Sequence, residues 1–208
     1  FLITDYTPIP RGIVLTAAGT ALQRHAQRIL NDVDVLSADL SDYAAGVVGV
    51  VRLWANTSAV TQFLPAEIAA FTAANPQIRI ELEEQNSDRV ATAVFDGEAD
   101  FGILAESTPM LGLQTVPYRR DQLVLVVPNG HALAVRRSMS FDEALAYDFV
   151  SLSRGTSLAK RLELATASTG RRLKLRIRVR SFDAMCMMVA AGLGIAVLPA
   201  AAARAARS

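Results

Sequence analysis

Hydrophobic positions fall into three successive rhythms along this chain. Residues 1–16 are extended and broken by Pro8, Pro10 and Gly12, with a short strand resuming at Ile13. From 17 to 45 the apolar positions are Leu22, Ala26, Ile29, Val33, Leu36, Leu40 and Tyr43, separated by alternating steps of four and three. That spacing is the heptad seam of a coiled coil. Thr16 is placed to cap this helix, because its hydroxyl can accept an orphan backbone N–H. The narrow seam on a long helix predicts pairing with a second chain; the alternative is an amphipathic helix lying on its own domain.

From Val47 the rhythm changes to short apolar runs alternating with helical segments. Strands are expected at 47–54, 78–83 and 101–104, and helices at 59–74 and 89–95. Asn75-Pro76 should end the first helix, since the residue before proline is pushed out of the α region. The order β-α-β-α-β is that of a parallel sheet with crossover helices. An extended run, 113–127, follows, with its apolar core at 123–127. A second, smaller set comprises helices at 141–146, 158–167 and 182–191, and strands at 149–152, 175–179 and 195–198. Its last unit reads VAAGLGIAVLP, in which glycine ends a helix and a short apolar strand stops at Pro199. The tail, 200–208, is alanine- and arginine-rich and helix-prone.

Composition narrows the picture. The chain has 208 residues, 51% of them hydrophobic and 20% charged, enough for a sizeable core and too apolar for disorder. A net charge of +1 does not suit a chain whose whole surface binds nucleic acid. The basic run Arg171, Arg172, Lys174, Arg176, Arg178 and Arg180 alternates along a strand and reads as one solvated face. No apolar run is long enough to span a bilayer, and no secretory signal is visible, which points to the cytoplasm.

Catalytic and metal chemistry find no constellation. The two histidines, His25 and His131, have no nucleophile beside them, and no GxSxG or HExxH occurs. Gly192-Leu193-Gly194 follows a helix and lacks the third glycine of a dinucleotide fingerprint. Glu81, Glu83 and Glu84 read as a solvated strand edge. Cys186 is the single cysteine and reads as a small core residue. No catalytic residue, metal ligand or cofactor is expected.

Binding chemistry is better represented. Three polar clusters each follow a strand and open a helix: Asn56-Thr57-Ser58, Gln85-Asn86-Ser87 and Ser153-Arg154-Gly155-Thr156-Ser157. Any one could be plain capping. Together, at the carboxyl ends of parallel strands, they predict a pocket favouring anions.

Five segments, in this order, resemble the LysR-type family of bacterial transcriptional regulators: RGIVLTAAG (11–19), FLPAEIAAFTAANPQIRIELEE (63–84), DGEADFGI (96–103), DQLVLVVPNGHALA (121–134) and VAAGLGIAVLP (189–199). The resemblance implies an α/β fold of two Rossmann-like lobes shaped like a type 2 periplasmic binding protein, preceded by a long coiled-coil linker helix. It divides the chain into a remnant of a DNA-binding wing (1–16), a dimerisation helix (17–46), lobe I (47–122), lobe II (123–200) and a truncated C-terminal segment (201–208). It implies a small-molecule effector between the lobes, which the polar clusters at the helix N-termini predict to bear a carboxylate, and a homodimer or tetramer. DNA would be contacted only through a helix–turn–helix segment ahead of residue 11, absent here, and no membrane is involved.

By this resemblance Ser58 and Ser87 fall where the family contacts effectors. Gln122 falls on the crossing strand, where some members carry arginine. The expected effector-binding set is Thr57, Ser58, Asn86, Ser87, Gln122, Ser153, Arg154, Thr156 and Ser157, with Phe182 and Leu198 as an apolar wall. The rival reading is a free-standing solute-binding protein of the same two-lobe shape. An enzyme on this fold would need a catalytic constellation that the sequence does not show.

Overall fold

The computed structural model describes residues 6–9, 12–44, 49–136, 138–167 and 169–206; within these, the side chains of 6–9, 12–13, 34–35 and 38–44 are not described. The expectations for 1–5, 45–48 and 207–208, and for the seam side chains Leu40 and Tyr43, lie outside the described residues.

The chain opens with a hairpin, β1 (Tyr6–Ile9) pairing antiparallel with β2 (Gly12–Leu15). Helix α1 (Ala17–Ala44) follows, and Thr16 Oγ1 accepts the Gly19 N–H at 3.0 Å as its cap. Its apolar seam is solvent-facing in the single chain: Leu22, Ile29, Val33 and Leu36 are all more than half exposed.

Lobe I is built on β3 (Gly49–Ala55), α2 (Thr57–Gln62), α3 (Leu64–Ala74), β4 (Ile78–Glu84), α4 (Ser87–Phe95) and β5 (Phe101–Ile103). The three strands are parallel in the order β4-β3-β5, as the β-α-β-α-β rhythm predicts. One expectation is corrected. The single helix at 59–74 is two helices, and Thr57 and Ser58 begin α2 rather than lying in a loop. Pro65 has no N–H to give the Thr61 carbonyl, so the helix breaks at Phe63 and restarts with proline in its first turn.

Residues 113–122 cross to lobe II without forming a strand, so the extended run narrows to β6 (Leu123–Val126). Lobe II continues with α5 (Phe141–Ala144), β7 (Asp148–Leu152), α6 (Ser157–Ala167), β8 (Lys174–Val179), α7 (Phe182–Ala190), β9 (Ala196–Pro199) and α8 (Ala200–Ala205). β7 and β8 are parallel, while β6 and β9 are antiparallel. A parallel bridge from Phe149 to Ile195 joins the two pairs.

The larger core sits here, where Phe149, Leu152, Met185, Ile195 and Leu198 are almost wholly buried. Gly194 makes this packing possible. Its φ is +152°, and a Cβ there would lie 2.6 Å from the Asp148 carbonyl oxygen. That oxygen is fixed by the Ile195 N–H at 2.9 Å. Lobe I has a thinner core of Ala55, Ala59 and Leu64.

Candidate functional site

The three polar clusters meet at the junction of the lobes. Each lies where a parallel strand ends and a helix begins: β3 into α2, β4 into α4, β7 into α6. Between them is a cavity of about 20 Å3 lined by Asn56, Thr57, Ser58, Gln85 and Asn86 from lobe I. Lobe II contributes Leu152, Thr156, Ser157, Leu158 and Phe182. That volume holds about one water molecule, so the lobes stand close together here.

Closure is made by direct contacts. Ser87 Oγ lies 2.7 Å from Ser157 Oγ across the cleft. Ser87 is buried, and its oxygen also accepts the Ala105 N–H at 3.1 Å and the Asn56 side-chain amide at 3.4 Å. A hydroxyl has two acceptor sites and one proton; with both acceptor sites filled, the Ser87 proton goes to Ser157. Beside this contact, Lys160 of α6 forms an ion pair with Asp88 of α4. Gly155 (φ +86°) passes so close to Asn86 that a Cβ would meet its Nδ2 at 3.4 Å.

Other cluster residues hold the rims. Asn56 caps α2 by accepting the Ala59 N–H at 3.0 Å. Thr57 Oγ1 donates to Glu84 at 2.6 Å. Thr156 accepts the Ala159 N–H at 3.3 Å and donates to the Ser153 carbonyl at 3.0 Å. Asn86 is the N-cap residue of α4, but its side chain makes no cap hydrogen bond, and both Asn86 and Ser58 line the cavity. Among the described residues, no cationic side chain lines the cavity. The N-termini of α4 and α6 open at the junction, and a helix N-terminus carries a partial positive charge.

Of the expected set, the structure brings Thr57, Ser58, Asn86, Thr156, Ser157 and Phe182 to the cavity lining, with Ser87 directly behind it. Four residues lie elsewhere. Ser153 turns its hydroxyl to the Val179 carbonyl at 3.2 Å. Arg154 is exposed outside the lining. Leu198 is wholly buried in the lobe II core. Gln122 precedes β6, outside the lining, and its carbonyl accepts the Ala200 N–H at 2.7 Å. Leu152 and Leu158 join the lining without any sequence signal, being ordinary apolar residues at element ends. Asn56 and Gln85 were legible only as cluster neighbours.

The crossing strap is held to lobe I by a compact cluster. Tyr118 and Arg119 both donate to Glu67, at 2.5 and 2.8 Å, and Gln62 donates to Asp121 at 3.0 Å. Burial, with the Glu67 hydrogen bond, pushes the Tyr118 phenol up to about 12. Hydrogen bonds from Tyr118 and Arg119 hold the Glu67 carboxyl below its ordinary value. Away from the cleft, burial pushes the half-buried Cys186 thiol up, with the Asp183 charge adding to it. Among the described residues, no helix is long and apolar enough to cross a membrane.

Comparison with known proteins gives a consistent picture. The family profile of the LysR substrate binding domain matches residues 44–208. The HTH-type transcriptional regulator YbhD of Escherichia coli is 27% identical over 189 residues, covering 91% of this chain and 60% of that protein. The chain spans about 60% of the length of the curated relatives it matches. Among solved structures, the regulatory domain of Synechocystis PCC6803 CcmR in complex with 2-PG superposes with a TM-score of 0.67 at 22% identity, covering 73% of each chain. The effector binding domain of QuiR in complex with shikimate gives 0.64 at 19% identity, again over 73% of each.

Proposed function

Since the chain belongs to the LysR substrate-binding domain family, we propose that it senses a small anionic effector held between its two lobes, as the regulatory part of a transcription regulator. The observation that carries this reading is the convergence of three separate polar clusters on one interlobe cavity. Helix N-termini favour negative charge, and a cleft that excludes water strengthens each contact. The related domains were solved with shikimate and with 2-phosphoglycolate, both acids bearing further polar oxygens.

Thr57, Ser58 and Asn86 would supply groups from lobe I, and Thr156 and Ser157 from lobe II, with Phe182 as apolar wall. Ser87 would hold the floor; Ser153, Arg154, Gln122 and Leu198 would act at a distance or only in a more open form. The cleft has room for about one water, so the effector must displace the Ser87–Ser157 contact and change the angle between lobes. A ligand shifts such an equilibrium only by its differential affinity for the two forms.

The signal would leave through α1. Its exposed seam supports a homodimer through paired helices, with DNA contacted by segments ahead of the hairpin and the whole regulator acting in the cytoplasm. A free-standing solute-binding protein has no use for such a seam.

The test is thermal unfolding in the presence of shikimate, 2-phosphoglycolate and related acids. A ligand at a hundred times its Kd stabilises the folded chain by about 2.7 kcal/mol. The S58W variant, whose indole fills the cleft and parts Ser87 from Ser157, should unfold cooperatively at a somewhat lower midpoint and lose the response. An equal response in S58W would place the ligand elsewhere.

A further inference from the structure

Three polar side chains of the cleft lining have protons committed inside their own lobe. Thr57 Oγ1 donates to Glu84 at 2.6 Å, and a carboxylate only accepts, so the hydroxyl keeps acceptor sites alone. Thr156 Oγ1 donates to the Ser153 carbonyl at 3.0 Å and accepts the Ala159 N–H at 3.3 Å, which leaves one acceptor site. Gln85 turns its amide nitrogen to Glu83 at 3.1 Å, so its carbonyl oxygen lies on the other arm of the amide. None of these bonds crosses between the lobes, so parting the lobes leaves them intact. Lobe I thus brings Thr57 and Gln85, and lobe II brings Thr156, to the cleft as acceptors. Acceptors call for a ligand that donates.

Charge narrows the ligand further. Among the described residues, the lining holds neither a cationic nor an acidic side chain. Lys160, beside the cleft, is already paired with Asp88. Glu83 and Glu84 lie outside the lining but are hydrogen-bonded to it. A doubly charged group such as a phosphate monoester would lose its water there with no side-chain counter-ion and with two carboxylates near. An ammonium would find no carboxylate in the lining to replace its water. One negative charge can be held where α6 begins, because Ser157 receives the Ser87 proton and keeps its own to give. Leu152, Leu158 and Phe182 supply an apolar wall for a carbon skeleton.

We propose that the effector is a polyhydroxylated monocarboxylate, with one carboxylate and at least two alcohol groups on a compact carbon skeleton. Its alcohol protons go to Thr57, Gln85 and Thr156, and its carboxylate to Ser157 and the start of α6. This class rests on the reading of the cleft as an effector site and narrows it. An acid without alcohols would strip water from the three acceptors and give them no donor in return.

The experiment is titration calorimetry of the whole chain with matched acids: shikimate against cyclohex-1-enecarboxylate, quinate against cyclohexanecarboxylate, and gluconate against hexanoate, with 2-phosphoglycolate as the multiply charged probe. At least one hydroxy acid should bind saturably, about tenfold or more tighter than its deoxygenated partner and than 2-phosphoglycolate, and S58W should lose it. T57V should weaken that hydroxy acid severalfold and leave its deoxygenated partner's affinity unchanged, whereas a merely structural effect would weaken both. Thermal unfolding of T57V without ligand checks that it folds as the parent does. A deoxygenated acid or 2-phosphoglycolate binding the cleft as tightly as every hydroxy acid would overturn this class while the anionic-effector reading stands. T57V weakening both members of a pair alike, or neither, would overturn it as well. No acid binding in an S58W-sensitive way would overturn both the class and the reading beneath it.

Discussion

Ser87 and Ser157 stand 70 residues apart in sequence and 2.7 Å apart in space, one on each lobe. This hydroxyl pair is where the lobes touch at the bottom of the cleft. Its two members are not equivalent. Ser87 is buried and also serves the Ala105 N–H and the Asn56 amide, whereas Ser157 only receives.

Their removal should therefore differ in cost. S157A loses one hydrogen bond, worth about 1 kcal/mol. S87A also leaves the Ala105 N–H unsatisfied, for a total of about 2–3 kcal/mol. Urea unfolding of both variants and of the double variant checks this, and the double should cost no more than S87A by itself. Equal costs for the two single variants would remove the asymmetry.

The VAAGLGIAVLP segment makes a sharper contrast. At Gly192 (φ +75°) nothing lies within 4 Å of an added Cβ, so G192A should cost only the positive-φ penalty of about 1–2 kcal/mol. At Gly194 the Cβ would strike the Asp148 carbonyl oxygen, itself pinned by Ile195. G194A should cost more than about 3 kcal/mol, combining backbone strain with overpacking. Thermal unfolding midpoints rank the two.

Acid stability should depend on Asp100. Burial pushes its carboxyl up, but hydrogen bonds from the Arg52 side chain and backbone N–H outweigh that and hold it below its ordinary value. A carboxyl depressed in the folded state stabilises the fold above its unfolded pKa. That contribution fades as pH falls below about 4 and is lost once the folded group is protonated. D100N should lower stability at neutral pH and flatten the acid limb of the stability curve. A limb as steep as the parent's would assign acid sensitivity to other carboxylates, such as Glu67 or Glu143.

The exposed seam of α1 makes a prediction about assembly. Ile29 and Leu36 are each more than half exposed in the single chain. Replacing both with glutamate would bury charge against apolar partners in a paired helix, at several kcal/mol unless relieved. Sedimentation velocity should show the parent as a dimer and I29E/L36E shifted to monomer. An unchanged dimer would place the main contact on the lobes.

Much of this was legible in the sequence because single rules governed it. The heptad steps gave α1, the alternation at 78–83 gave β4, and the glycines gave the α7–β9 turn. What was not legible depended on long-range placement. Pro65 splits a helix whose apolar pattern runs straight through it. Leu198 and Phe182 have similar sequence signals and both pack into the lobe II core, yet only Phe182 also reaches the cleft lining. Arg154 belongs to a polar cluster of which only Thr156 and Ser157 reach the cavity lining, while Arg154 is exposed.

The central claim is that the effector enters between the lobes and parts them. Its most direct test is the distance between spin labels at Phe95 on α4 and Arg161 on α6, placed as F95C/R161C on a C186A background and read by pulsed electron spin resonance. The free chain should give one short distance, as the Ser87–Ser157 contact requires. Saturation with an anionic ligand that S58W no longer binds should lengthen it. A ligand that saturates the chain, is lost in S58W, and leaves the distance unchanged would contradict the account.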